Sequence, residues 1–96
     1  MARPDGRLKM NAEEAGSRNA PVELDVIGLN CPLPVMRTRR ALADLPSGAR
    51  LMVRASDPLA AIDIPHFCTE AGHRLLSMRE DGRVLVFAIE KGCGPD

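Results

Sequence analysis

Apolar and polar positions alternate with a period of two in two short stretches of this chain, and each stretch marks a strand with one buried face. In the first, Val22, Leu24 and Val26 alternate with Glu23 and Asp25, which predicts a strand over 22–26. In the second, Leu51, Val53 and Ala55 alternate with Met52 and Arg54, which predicts a strand over 50–55. Between them the period changes. Val35, Thr38, Leu42 and Leu45 recur at spacings of three and four, the stripe of a helix that buries one side, with Met36, Arg40 and Asp44 opposite. Gly28 punctuates the chain before this helix. Pro32 suits its first position, because a fixed φ and a missing N–H cost nothing there, and Pro46-Ser47-Gly48 stops it. A helical crossover of this length is what two parallel strands require.

Downstream, Ser56-Asp57-Pro58 is a second helix-start signal. Pro65 lacks an N–H and clashes with the preceding turn, so a short turn followed by a helix over 65–71, closed by Gly72, is expected. Leu75 to Glu80 read as a strand, Asp81-Gly82 as a hairpin turn, and Val84, Val86 or Phe87, and Ile89 as the last strand. The order βαβαββ implies an α+β two-layer sandwich: a four-stranded mixed sheet with both helices on one face and the other face open. Residues 21–92 form this domain; 1–20 are polar and expected to be a flexible leader, and 93–96 a Gly/Pro-rich tail.

Hydrophobic residues at 45% and charged residues at 27% fit a small globular domain. No apolar run approaches the roughly 18 to 20 residues that cross a bilayer, and residues 1–16 hold no apolar signal-peptide centre, so a cytoplasmic monomer without membrane contact is expected. Thirteen Lys and Arg balance thirteen Asp and Glu, and the aromatic residues are Phe67 and Phe87 alone. Neither a broad basic surface nor stacking platforms for bases are provided, which argues against direct nucleic-acid binding.

The candidate chemistry is that of thiols. Cysteines 31, 68 and 93 form neither a CxxC pair nor a metal-ligand spacing, so no metal site is expected and the thiols should be free. Cys31 stands where a strand ends and a helix begins. Helix N-terminal N–H groups and partial positive charge lower a thiol pKa, and the thiolate is the nucleophile, so Cys31 is the candidate reactive group. Pro32 and Pro34 stiffen the turn, leaving the amides of Leu33 and Val35 to face an anion. No neighbouring cysteine can resolve a mixed disulfide, and no His or Asp pattern near Cys31 marks a general base, so a dithiol oxidoreductase and a cysteine protease are disfavoured. The alternative is a small buried Cys31 in a non-catalytic binding or regulatory module. Cys68 beside Phe67 reads as a core residue, Cys93 as an exposed idle thiol, and His66 and His73 as structural. Met36 with Arg37, Arg39 and Arg40 could grip an acidic partner near the thiol.

The stretch from Leu24 to Val35 contains Gly28-Leu29-Asn30-Cys31-Pro32-Leu33-Pro34, which resembles the Gly-Leu-x-Cys-Pro-x-Pro signature of the TusA/SirA-like sulfurtransferase family. Ala41-Leu42, Pro46-x-Gly48, Ser56-Asp57-Pro58, Asp63-Ile64-Pro65, Phe67-Cys68 and Phe87-x-Ile89-x-Lys91-Gly92 extend the resemblance over residues 22–92. The resemblance implies a fold similar to the C-terminal domain of translation initiation factor three. It also implies a cysteine, here Cys31, that carries sulfane sulfur as a persulfide without any cofactor. The implied partners are a cysteine desulfurase or rhodanese-like donor and an acceptor protein of a sulfur relay, with the desulfurase contacted through the positions of Arg39 and Asp57. The sequence departs from some members at Leu33, where those that feed tRNA thiolation carry an acid.

Overall fold

The computed structural model describes residues 21–92 and contains six elements in the order βαβαββ. The strands are β1 (Val22–Val26), β2 (Arg50–Ala55), β3 (Arg74–Asp81) and β4 (Val84–Glu90), and the helices are α1 (Leu33–Ala43) and α2 (Ala60–Ala71). The sheet order is β1-β2-β4-β3. β1 and β2 are parallel, with Val22 opposite Leu51 and Val26 opposite Ala55, and β4 is antiparallel to both of its neighbours. The expected α+β sandwich with a mixed four-stranded sheet is therefore what forms. The leader and the Cys93 tail lie outside the described residues.

Register explains which residues are buried. Leu24, Val26, Leu51, Val53, Ala55, Leu85, Phe87 and Ile89 share one sheet face and meet Leu42 of α1 and Ala60, Ile64, Phe67 and Cys68 of α2 in a single core. The phase of the last strand is thus set by Phe87, not Val86. Val86 lies on the opposite face between Arg54 and Arg79, and it too is buried. Val22 and Leu24 are less buried than Val26 because β1 is an edge strand.

Three boundaries differ from expectation. Pro32 caps α1 instead of opening it, and Pro34 sits inside the first turn. The hairpin loop is Gly82-Arg83, one residue later than expected, with Asp81 still paired to Val84 and Gly82 at φ 65°. Most notably, α2 runs straight through Pro65 from Ala60. The missing Pro65 N–H forgoes a bond to the Ala61 carbonyl, but burying Ile64 and Phe67 on either side returns roughly 1.5 to 3 kcal/mol per side chain, so packing overrides the breaker.

The carboxyl end of α1 is fixed from a distance. Lys91 Nζ donates to the carbonyls of Leu42 at 2.7 Å and Leu45 at 3.0 Å, placing a cation at the negative end of the helix. Replacing Lys91 with Met should lower stability by about 1 to 2 kcal/mol, measured as a shift in the urea midpoint, while Lys91→Arg should retain part of it. An unchanged midpoint would mean water satisfies these carbonyls equally well.

Candidate functional site: a cysteine between two carboxylates

Parallel pairing puts the loops that follow β1 and β2 side by side at one end of the sheet, and hydrogen bonds between them define the site. Asp25 Oδ1 accepts the Ile27 N–H at 2.9 Å, turning the chain sharply out of β1. Gly28, at φ 89°, then donates its N–H to Ser56 Oγ at 2.8 Å. The Cys31 N–H donates to Asp57 Oδ2 at 2.6 Å, while Asp57 Oδ1 accepts from Leu59 N–H at 3.0 Å. One carboxylate thus holds the turn that leads into α2 and anchors the Cys31 backbone. The Ser56-Asp57-Pro58 element is the clamp for the Gly28-to-Cys31 loop.

Cys31 is exposed, which removes the basis for reading it as a buried structural residue. Its electrostatics, however, reverse the expectation of an activated thiol. Sγ donates to Asp63 Oδ2 at 3.1 Å across from α2. That hydrogen bond, then partial desolvation and the charges of Asp63 and Asp57, push the thiol pKa above its ordinary value. The helix terminus fails to oppose this for a reason visible in its first turn. Pro32 and Pro34 have no N–H, and the Leu33 N–H donates to the Asn30 carbonyl at 2.8 Å instead of facing an anion. Of the two amides expected to face an anion, that of Leu33 is thus spent on the backbone.

Cys31 opens onto a cleft of about 500 Å³ between the two helices, walled by Pro32, by Val35 and Arg39 of α1 and by Asp63, His66, Phe67, Glu70 and Ala71 of α2. The Arg39 guanidinium carbon lies 5.0 Å from the centre of the Phe67 ring, and His66 Nε2 is 3.3 Å from Glu70 Oε2. The structure therefore brings Cys31 and Asp57 into contact at one end of the sheet, with Gly28, Pro32 and Pro34 shaping the loop, while Arg39 lines the same cleft further along α1. Met36 stands outside the cleft, 54% exposed. Ile27, Leu33, Leu59 and Ile62 are exposed apolar residues at the element ends on the Cys31 side. The residue that sequence reasoning left without a role is Asp63, 32 positions from the thiol it touches. No short-range spacing could have revealed it.

Cys68 is buried in the core, and burial pushes its thiol pKa up to about 11, leaving an inert side chain. His73 is buried at the exit of α2, where its Nδ1 accepts the Gly92 N–H at 3.0 Å, a structural tie. Among the described residues, no three His, Cys, Asp or Glu side chains are placed to hold a metal ion. Nor is any described helix long and apolar enough to cross a membrane.

The family model described as Sulfurtransferase TusA matches residues 22–91. Proteins called Sulfur carrier protein TusA from the F1 and GB-1 strains of Pseudomonas putida are 44% identical over 68 residues, covering 71% of this chain and 85% of each relative. The crystal structure of a SirA-like protein from Desulfitobacterium hafniense superposes with a TM-score of 0.67 at 25% identity, covering 74% of this chain and 97% of that one.

Two outcomes follow from the geometry. Replacing Asp57 with Ala removes the acceptor of two backbone N–H groups and should cost about 1 to 2 kcal/mol in a urea titration, with faster amide exchange at Cys31 and Leu59. Because the folded-state pKa of Cys31 is raised, its thiol hydrogen bond is present below the ordinary thiol pKa and lost as pH climbs through the raised one. Alkylation of Cys31 by iodoacetamide should accordingly be slower at pH 7.5 than that of a cysteine peptide and show a higher pH midpoint. Cys68 should stay unmodified until the protein unfolds. A Cys31 midpoint below that of the peptide would contradict this reading of the site.

Proposed function

The chain belongs to the TusA family of sulfur carriers, and on that premise we propose that Cys31 is the atom-bearing residue, holding sulfane sulfur as a persulfide between a donor and an acceptor protein. The observation that carries this reading is the exposed Cys31 sulfur at the mouth of a cleft, on a loop held rigid by Asp57, with the buried Cys68 thiol unavailable to displace it. A carrier must present one sulfur to two different proteins in turn. A fixed, exposed thiol with no other accessible thiol among the described residues to resolve its persulfide meets that need.

The transfer balances without an external oxidant. Cys31 loses its proton, and its thiolate attacks the outer sulfur of a donor persulfide, R–S–SH. The donor S–S bond breaks, the electron pair leaves with R–S⁻, and that sulfur takes up a proton, giving Cys31–S–SH and R–SH. An acceptor thiolate then attacks the outer sulfur of Cys31–S–SH in the same way and returns Cys31 to the thiol. No metal or organic cofactor enters either step.

Docking is carried by the surroundings of the thiol. The exposed Ile27, Leu33, Leu59 and Ile62 offer an apolar rim that excludes water around the reacting sulfurs. Met36 and Arg39 extend this surface along α1, Met36 as a pliable apolar anchor and Arg39 as a cation at the cleft. Asp57 serves the partner mainly by holding the loop that the partner grips. The donor class is a cysteine desulfurase or a rhodanese-like protein and the acceptor a sulfur-relay protein of the cytoplasm. Such a relay can serve tRNA thiolation, molybdenum-cofactor sulfuration or the oxidation of reduced sulfur.

Intact-mass measurement after incubation with a cysteine desulfurase plus cysteine, or with a rhodanese plus thiosulfate, tests the proposal directly. Wild type should gain about 32 Da, one sulfur atom, reversed by dithiothreitol, and Cys31→Ser should gain nothing. Sulfur retained by Cys31→Ser would move the carrier role to another cysteine, and no gain from any donor would favour a binding module with an idle Cys31.

A further inference from the structure

Sulfur transfer consumes a thiolate, yet the free protein is built to keep Cys31 protonated. The charged groups around the sulfur show where the restraint lies. In its own loop, Asp25 is engaged with the Ile27 N–H, and in the loop before α2, Asp57 spends both oxygens on backbone N–H groups. On α2, Glu70 is paired with His66; on α1, Arg39 is stacked over Phe67. Asp63 is the carboxylate that contacts the sulfur itself, at 3.1 Å. It is only half-buried, so an incoming side chain can reach it.

We propose, on the basis of the carrier reading above, that Asp63 is a latch on Cys31: its carboxylate holds the thiol in the free protein, and a Lys or Arg flanking the reactive cysteine of the sulfur-donor protein pairs with Asp63 and frees the sulfur to attack. An ion pair removes both restraints at once. The carboxylate turns its lone pairs from S–H to the cation, and its negative charge near the nascent thiolate is neutralised. The thiol proton passes to solvent or to the departing donor sulfur, so the overall exchange remains Cys31–SH + R–S–SH → Cys31–S–SH + R–SH. In the free protein the same arrangement protects the thiol. Asp57 and Asp63 repel small anions such as thiosulfate, and the closed hydrogen bond slows attack on neutral electrophiles. The partner chemistry is therefore specific: a protein donor with a cation beside its persulfide.

The test compares wild type, Asp63→Asn and Asp63→Glu in two readouts: alkylation of Cys31 by iodoacetamide at pH 7, mapped by peptide mass, and the rate of sulfur uptake from a cysteine desulfurase supplied with cysteine. Each unit of fall in the thiol pKa raises the thiolate fraction about tenfold. With the latch, Asp63→Asn should react with iodoacetamide several-fold to tenfold faster while loading from the desulfurase about tenfold more slowly, because the unlatched thiol has lost the charge that the donor reads. Asp63→Glu should restore loading, separating charge from any effect on folding. If Asp63→Asn leaves alkylation unchanged, Asp63 is no latch. If alkylation and loading both speed up together, Asp63 restrains the thiol without being read by the donor, and the proposal also falls. Wild type that gains no sulfur from any donor would sink the carrier reading itself, an outcome distinct from a wild type that loads as fast as Asp63→Asn.

Discussion

The Asp57 carboxylate, shared between the N–H groups of Cys31 and Leu59, is the constraint on which the site depends. β1 and β2 bring their following loops to the same end of the sheet, but adjacency alone does not fix a loop. Two backbone N–H groups from chain segments 28 positions apart converge on one side chain, so the position of the thiol is set relative to α2 as well as to β1. The cleft between the helices, the contact from Cys31 to Asp63 and the placing of the apolar rim all presuppose that relation. Ser56 adds a second tie through the Gly28 N–H, where φ of 89° suits a residue without Cβ.

The same first turn shows why position at a helix start does not by itself determine reactivity. A helix N-terminus activates a thiol through N–H groups directed at the sulfur. Here two of the nearest residues are prolines, and the N–H between them is turned back to Asn30. The group that contacts the sulfur is the Asp63 carboxylate. The prolines thus contribute stiffness and remove activation, and the thiol rests in its less reactive form. Cys68 reaches low reactivity by a different route, desolvation in the core, which no partner can relieve without unfolding the domain. The restraint on Cys31 is a surface contact with one side chain and is open to relief by docking.

How much of this was legible in the sequence follows the range of the interactions. The strands over Val22–Val26 and Arg50–Ala55, the stripe of α1 and the role of Gly72 as a helix stop rest on periodicity and local backbone preference, and they emerge as expected. The start of α2 does not. Pro65 is a local veto, whereas the burial of Ile64 and Phe67 that overrides it is tertiary and cannot be weighed without the sheet they pack on. The phase of β4 was ambiguous for a related reason: Leu85, Val86 and Phe87 are all buried, two against the helices and one beneath flanking arginines on the other face. At the site, Cys31 stood out by its motif, but its pKa depends on Asp63, whose proximity is created by the packing of α2 against α1. The sign of an electrostatic effect was therefore the least accessible quantity.

That sign matters for a carrier. A persulfide is more acidic than the thiol that bears it, so a loaded Cys31 tends toward an anion beside Asp63 and Asp57, where the charges raise its free energy. An uncompensated acidic site would load reluctantly, and its equilibrium would lie toward giving the sulfur up. On the proposed latch, loading then draws on positive charge supplied by the donor. Once that donor dissociates, the restored repulsion favours passing sulfur to the next protein over keeping it. The carboxylates that make the resting thiol unreactive would in this way give direction to the relay, using only the difference between a site with a docked cation and the same site without one.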